Sequence, residues 1–453
     1  MLRAEPTIDQ SEHLRNAAIA SRNKLLKITE FLLSRPDLTQ SLRTLSIHDE
    51  WSTEWVRGTL AEEFDVQSIP DFYAAIYCNL KKTLQASPNI MTLTLISMDI
   101  VPEFLQITAR IPSLHTINFH MCRLDPKVCQ SISEDQIQST EALLNLKLLV
   151  GDVGIDVSRM WHSLSLYPHI RTLLVYALGS TNISIPPDPV RHLCNPFVTL
   201  ERVFLGHFHP DDVSALSMWM NEVSGNSFNT GLKLTHFKIQ TRWGMNNADV
   251  FNLLDALQWS PNMRVLVLEG LEDAKLELID RVAHACPNLH GLTLIRRQSD
   301  RQNETKLASW PHPSYEYASR FTAFTQLKHF GWNFDVETFG LDPTPSIMKN
   351  FEEGFPDPTT LEGWKETMKR EDIAYFDDTH LMAGSFAVHC PTLRTFAIVD
   401  RIVRFVCRIN KAPNGTILSK ETGTSHELSA WNPGLSRNGW PPIEPPRIGI
   451  DRK

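Results

Sequence analysis

An apolar spacing of three residues and then two, L-x-x-L-x-L with hydrophobic replacements, returns eleven times along the chain. It reads SLRTLSI (41–47), NIMTLTL (89–95), SLHTINF (113–119), LLNLKL (143–148), HIRTLLV (169–175), TLERVFL (199–205), KLTHFKI (233–239), NMRVLVL (262–268), NLHGLTL (288–294), QLKHFGW (326–332) and TLRTFAI (392–398). From Ile90 to Leu289 the first apolar residues are 24, 29, 27, 30, 34, 29 and 26 residues apart. A near-constant period of this size belongs to stacked units that share one continuous core.

The last two apolar residues of each core are two apart, so they point to one face of a short strand and their neighbours to the other. The remainder of several units carries helical spacing. In NNADVFNLLDALQWSPN, Val250, Leu253, Leu254 and Leu257 recur at three and four residues, and Asn247 is placed to cap the start. Leu276, Ile279, Val282 and Ala283 repeat this before Pro287, as do Val213, Leu216, Trp219 and Met220. The stretch LHTINFHMCRL (114–124) completes the longer pattern L-x-x-L-x-L-x-x-C-x-L, which makes Cys122 a buried structural thiol at the turn after the strand. The expected fold is an α/β leucine-rich-repeat solenoid of about eleven irregular repeats. It would be curved, with parallel strands on the concave face and helices on the convex face.

The repeat spacing also sets the domain organisation. Residues 1–40 read as an N-terminal helical cap and 41–400 as the solenoid, with insertions at 48–88 (two helices) and 333–390 (a long excursion rich in Pro, Gly and acidic residues). Residues 401–425 read as a hairpin cap around Asn414-Gly415, a type I′ turn signal, and 426–453 as an extended Pro-rich tail.

The run NKLLKITEFLLSRPDLTQSLRTLSI, the irregular repeats after it and the closing hairpin together resemble the leucine-rich-repeat region of fungal F-box proteins, over roughly residues 24–420. In that family an F-box docks on the adaptor of a cullin-RING ubiquitin ligase while the repeats hold the substrate. The first 23 residues contain Pro6 but no Leu-Pro-x-Glu-Ile opening. The resemblance therefore implies the recognition half of that function, a protein substrate or partner, and gives adaptor docking no counterpart in these residues.

Charge and composition narrow the partner class. The net charge is −8 with Lys and Arg scattered, so no nucleic-acid partner is expected. No apolar run is long enough for a signal peptide or a membrane span, which points to an intracellular protein of the cytoplasm and/or nucleus without a membrane partner. Seven cysteines without a C-x-x-C pair read as reduced thiols. No G-x-S-x-G, P-loop, G-x-G-x-x-G or H-E-x-x-H occurs, so a non-enzymatic protein without cofactor is expected.

On a concave sheet, the partner-facing side chains flank the strand core. Those singled out are Thr116, Asn118, His120, Leu174, Tyr176, Arg202, Phe204, His236, Lys238, Val267, Glu269 and Ile295. Together the apolar members would form a binding patch with Tyr176, Phe204 and Arg202 as anchors, unless the long loops or the C-terminal segment fold across the concavity and bury it. The stretch GHFHPDD (206–212) supports an alternative, a metal-dependent hydrolase centred on His207 and His209, because an H-x-H pair on a regular strand shares one face. Pro210-Asp211-Asp212 is equally a helix start, and that structural reading is preferred; a purely structural scaffold is the third possibility.

Overall fold

In the computed structural model each of the eleven cores leads into a strand. The structure describes residues 8–48, 68–124, 141–151, 157–179, 181–226, 231–297, 310–334, 379–399, 403–412, 417–422 and 440–445. The chain divides into two compact units, Met1–Thr199 with Pro442–Lys453, and Leu200–Pro441.

In the first unit the strands are β1 (Thr44–His48), β2 (Thr92–Ile96), β3 (Asp99–Ile100), β4 (Thr116–His120), β5 (Arg123–Leu124), β6 (Asn145–Val150) and β7 (Thr172–Ala177). They pair in parallel in the order β1-β2-β4-β6-β7, residue for residue, so that Leu93, Ile117, Leu146 and Leu173 form one row. Leu95, Phe119, Leu148 and Val175 form the next, and all eight are buried. Each such side chain is worth roughly 1.5–3 kcal/mol of apolar burial. Parallel pairing at the repeat period is what an α/β leucine-rich-repeat solenoid requires, and the register settles that fold.

The end of the longer pattern has its own geometry. Ser97 and Met121, which follow β2 and β4, both take positive φ (56° and 53°). The reversal turns Cys122 inward, where its Sγ donates to the Leu95 carbonyl at 3.3 Å. Burial pushes this thiol up to about 12. The chain then forms the small parallel pair β3–β5, with Leu124 buried.

In the second unit β8 (Arg202–Phe208), β9 (His236–Met245), β10 (Val265–Leu271), β11 (Gly291–Arg296), β12 (His329–Trp332) and β13 (Thr395–Val399) pair in parallel in chain order. The strands β14 (Val403–Lys411) and β15 (Ile417–Thr422) add antiparallel to β13. The Asn414-Gly415 turn itself lies outside the described residues. Helices Val213–Asn226, Asn247–Leu257, Leu276–Ala285, Ser314–Arg320 and Thr379–His389 pack each on the next behind the strands. Aromatic rings fill the last repeats, with Phe330 against Phe321 at 4.6 Å and Trp332 against Trp310 at 5.0 Å.

Two local expectations shift by one or two residues. The cap of the Asn247–Leu257 helix is Asn246, whose side chain accepts from Asp249 N at 2.9 Å. In the next helix Leu278 rather than Leu276 completes the buried stripe, because the helix begins at Leu276 and its first residue is only half-buried. Gly270 bulges β10 with φ of 112°, and a Cβ there would overlap the Thr241 side chain, which is hydrogen-bonded to the carbonyls of Glu269 and Trp243.

The helix Ile8–Leu33 and the short Pro36–Ser41 helix precede β1. Of the insertion after it, the helix Ser68–Gln85 is described, while the other expected helix falls on residues 49–67, outside the described set. Most of the 333–390 excursion, residues 335–378, also lies outside it. Among the described residues no helix is long and apolar enough to cross a membrane.

Candidate functional site: the strand faces

On the first unit, the face away from the helices is polar and partly open. Thr116 and Leu174 are buried, while Asn118, His120, Lys147, Leu149 and Tyr176 are half-buried. Because the register is strict, like positions stack, and Asn118 Nδ2 donates to Thr94 Oγ1 at 3.0 Å, one strand over. His120 is held at about 4 by burial and by the neighbouring Lys147 charge, so its ring is neutral at pH 7. Its Nε2 is enclosed and has no hydrogen-bond partner among the described residues.

Asn145 is the most constrained group on this face, at 4% exposure. Its Nδ2 donates to Thr116 Oγ1 at 3.1 Å and to the Ile443 carbonyl at 3.1 Å, and its Oδ1 accepts from Ile443 N at 2.8 Å. The side-chain amide thus reads both polar groups of one residue of an extended backbone, as a neighbouring strand would. That backbone belongs to the tail expected to be extended, of which residues 440–445 are described.

The second unit's face is closed. Phe204, Lys238 and Val267 are 2%, 0% and 0% exposed, and Glu269 and Ile295 are also buried. Lys238 Nζ meets Glu269 Oε1 at 2.7 Å and sits 4.8 Å from the Phe204 ring centroid, while Arg297 approaches Glu269 at 3.8 Å. Burial lowers the Lys238 ammonium below its ordinary value, with Glu269 opposing that shift. Phe204, Lys238, Val267 and Glu269 therefore act inside the protein, where the sequence placed them at a partner's disposal. Arg202 and His236 at the rim are half-buried: Arg202 Nη1 donates to the Pro441 carbonyl at 2.9 Å, and the His236 ring meets Trp440 edge-on at 5.3 Å. Burial and Arg202 hold His236 at about 4.

His207 and His209 do not share a regular strand face. His207 takes φ of 57° at a bulge between Gly206 and Phe208, which breaks the alternation the H-x-H argument needs. His209 lies 3.7 Å from Asp211 and edge-on to Trp243 at 5.5 Å. Pro210–Asp212 forms a 3₁₀ turn leading into the helix Val213–Asn226. Among the described residues no group of three or more His, Cys, Asp or Glu side chains is disposed to hold a metal ion.

Considering only strand-face positions misses a second set. Arg264, His290, Lys328 and Arg394 each stand immediately before a strand in successive repeats of the second unit. Their backbones are linked in turn, His290 N to Arg264 O at 2.7 Å, Lys328 N to His290 O at 2.9 Å and Arg394 N to Lys328 O at 2.8 Å. The signal was in the repeat cores themselves, NMRVLVL, NLHGLTL, QLKHFGW and TLRTFAI, at a position that is basic in all four.

No family model and no curated protein matches the chain. Among solved structures it is similar to the crystal structure of the yeast Rad7 and Elc1 complex, at 13% identity, covering 77% of this chain and 91% of that chain with a TM-score of 0.34. It is also similar to the TLR13–ssRNA13 complex, at 12% identity and a TM-score of 0.34, covering 65% of this chain and 40% of that one.

Proposed function

We propose that the chain is a non-enzymatic protein-recognition module, whose half-open strand face on the first unit receives an extended polypeptide segment. The observation that carries this reading is the paired hydrogen bonding of Asn145 to both backbone groups of Ile443. A face that engages backbone in this way binds without regard to sequence, and the half-buried Asn118, His120, Lys147 and Tyr176 around it supply selectivity. Thr116 and Leu174 support those residues from within. On the second unit Arg202 and His236 stand beside the closed centre and are proposed as rim contacts only, while the buried Ile295 supports them from within. The finer role, the substrate-binding part of an F-box ubiquitin-ligase receptor, rests on the resemblance of the N-terminal run and repeats to that family.

The test uses the full chain as bait in native extract, beside its Tyr176→Ala and His120→Ala variants. A protein retained by the wild type and lost by both variants, at unchanged unfolding temperature, supports the face. Retention by all three overturns it. Co-elution of a cullin-ligase adaptor supports the receptor role, and its repeated absence from otherwise productive captures overturns that role while leaving recognition intact.

A further inference from the structure

The four basic positions before the strands line an open cleft of about 1150 Å³ in the second unit, together with Arg408 and Lys411 of β14. Among the described residues no Asp or Glu lines it. Such a concentration of cations is not a by-product of a basic protein, because the chain's net charge is −8. Lys411 is already engaged, its ammonium donating to the carbonyls of Ala387, Cys390 and Pro391 at 2.9 Å each. Arg264 Nη1 is steadied by Gln326 Oε1 at 3.2 Å, a neutral partner. Lys328 and Arg394 have no ion-pair partner among the described residues, and Arg394 is exposed. His290 and His329 are surrounded by like charge, from Lys328 with Arg264 in one case and from Lys328 with Arg394 in the other.

We propose that this row is a binding site for an extended acidic peptide, whose carboxylates pair with Arg264, Lys328 and Arg394. The spacing fits. Neighbouring parallel strands lie about 4.8 Å apart, so four consecutive positions span roughly 14 Å, and same-face side chains of an extended peptide recur about every 6.7 Å, placing three carboxylates along the row. Guanidinium groups add bidentate geometry to carboxylate recognition, and a cleft lined by one sign of charge focuses its field on the ligand. A peptide is favoured over single-stranded nucleic acid because no Phe, Tyr or Trp among the described residues lines the cleft as a platform on which bases would stack.

The experiment measures fluorescence anisotropy of a labelled (Glu-Ala)5 decapeptide titrated with the full chain. Saturable binding is expected, weakened about tenfold between about 50 and about 300 mM salt, with none for (Gln-Ala)5. Lys328→Glu with Arg394→Glu should weaken it by about tenfold or more at unchanged unfolding temperature. Should that double variant unfold, Arg394→Gln alone is expected to weaken binding about threefold. Absence of saturable binding, or binding indifferent to these variants, overturns the proposal. So does equal competition by inorganic phosphate at matched charge. Tighter binding of a single-stranded oligouridylate through the same residues overturns the peptide assignment in favour of nucleic acid. Tyr176 does not line the cleft, so Tyr176→Ala leaves peptide binding unchanged if the proposal holds.

Discussion

Replacing Glu269 by glutamine removes the carboxylate that faces a wholly buried lysine. Lys238 is 0% exposed and its Nζ stands 2.7 Å from Glu269 Oε1. Taking one partner from a buried ion pair costs about 3–5 kcal/mol, because the remaining charge stays desolvated. Glutamine keeps a hydrogen-bond acceptor, which places Glu269→Gln near the lower end, about 3 kcal/mol, or roughly 6–12 °C for a unit of this size. Urea denaturation followed by tryptophan fluorescence measures it. A dependence on pH gives an independent check. The Lys238 pKa is depressed in the folded protein, so between that lowered value and the ordinary 10.5 the unfolded chain binds the extra proton and stability rises with pH. Losing Glu269 depresses it further, so the deficit of Glu269→Gln relative to the parent narrows as pH climbs from 7 toward 10. Lys238→Met combined with Glu269→Gln should cost less than the sum of the single changes. A loss below about 1 kcal/mol, or a deficit that widens with pH, refutes the assignment of a buried charged pair.

Acid should weaken the fold before it protonates most carboxylates. His120, His236 and His329 are each held at about 4, chiefly by burial, against 6.5 when free. Their contribution is complete above pH 6.5 and is lost as pH falls toward 4, by roughly 1–2 kcal/mol each after allowance for partial exposure; urea midpoints at pH 7, 5.5 and 4.5 measure this, and His329→Gln should flatten the slope. Asn145→Ala removes the bonds to Ile443 and Thr116 and should cost about 1–2 kcal/mol. It should also speed amide exchange at Ile443, whose N–H bonds to Asn145 Oδ1.

The strands and their order were legible because the same core recurs at a spacing that leaves room for a crossover between strands, which favours parallel stacking in chain order. The helical stripe of Val213, Leu216, Trp219 and Met220 was legible for the same reason, and all four are buried. What escaped depends on register or on backbone reversal. Lys238 and Glu269 are 31 residues apart and each reads as a surface position; only the pairing of β9 with β10 brings them together in a closed space. Nothing in the residue type of His207 announces its positive φ, which undid the H-x-H geometry. Asn246 and Asn247 are equally good caps by composition, and the extended backbone of Asn246 decides between them. Proline content points to an extended tail, while the hydrogen bonds of Ile443 to Asn145 follow from tertiary structure alone. The cationic row was visible as R, H, K and R within four successive cores, but strand-face reasoning begins one residue further on.

The two units call for different modes of recognition. A partner reaching the centre of the second unit's strand face must open the Lys238–Glu269 pair, and at about 3–5 kcal/mol that penalty weakens affinity by roughly 10²–10⁴-fold. Any ligand of that unit is therefore driven to its margins, where the basic positions before the strands lie open. On the first unit no buried ion pair closes the face among the described residues. Its like positions are already arranged in register, and Asn145 holds backbone without requiring a charge on either side. Mutations at Lys328 and Arg394 should change the salt dependence of binding, since exposed charges are screened, whereas mutations at Asn145 should be nearly indifferent to salt.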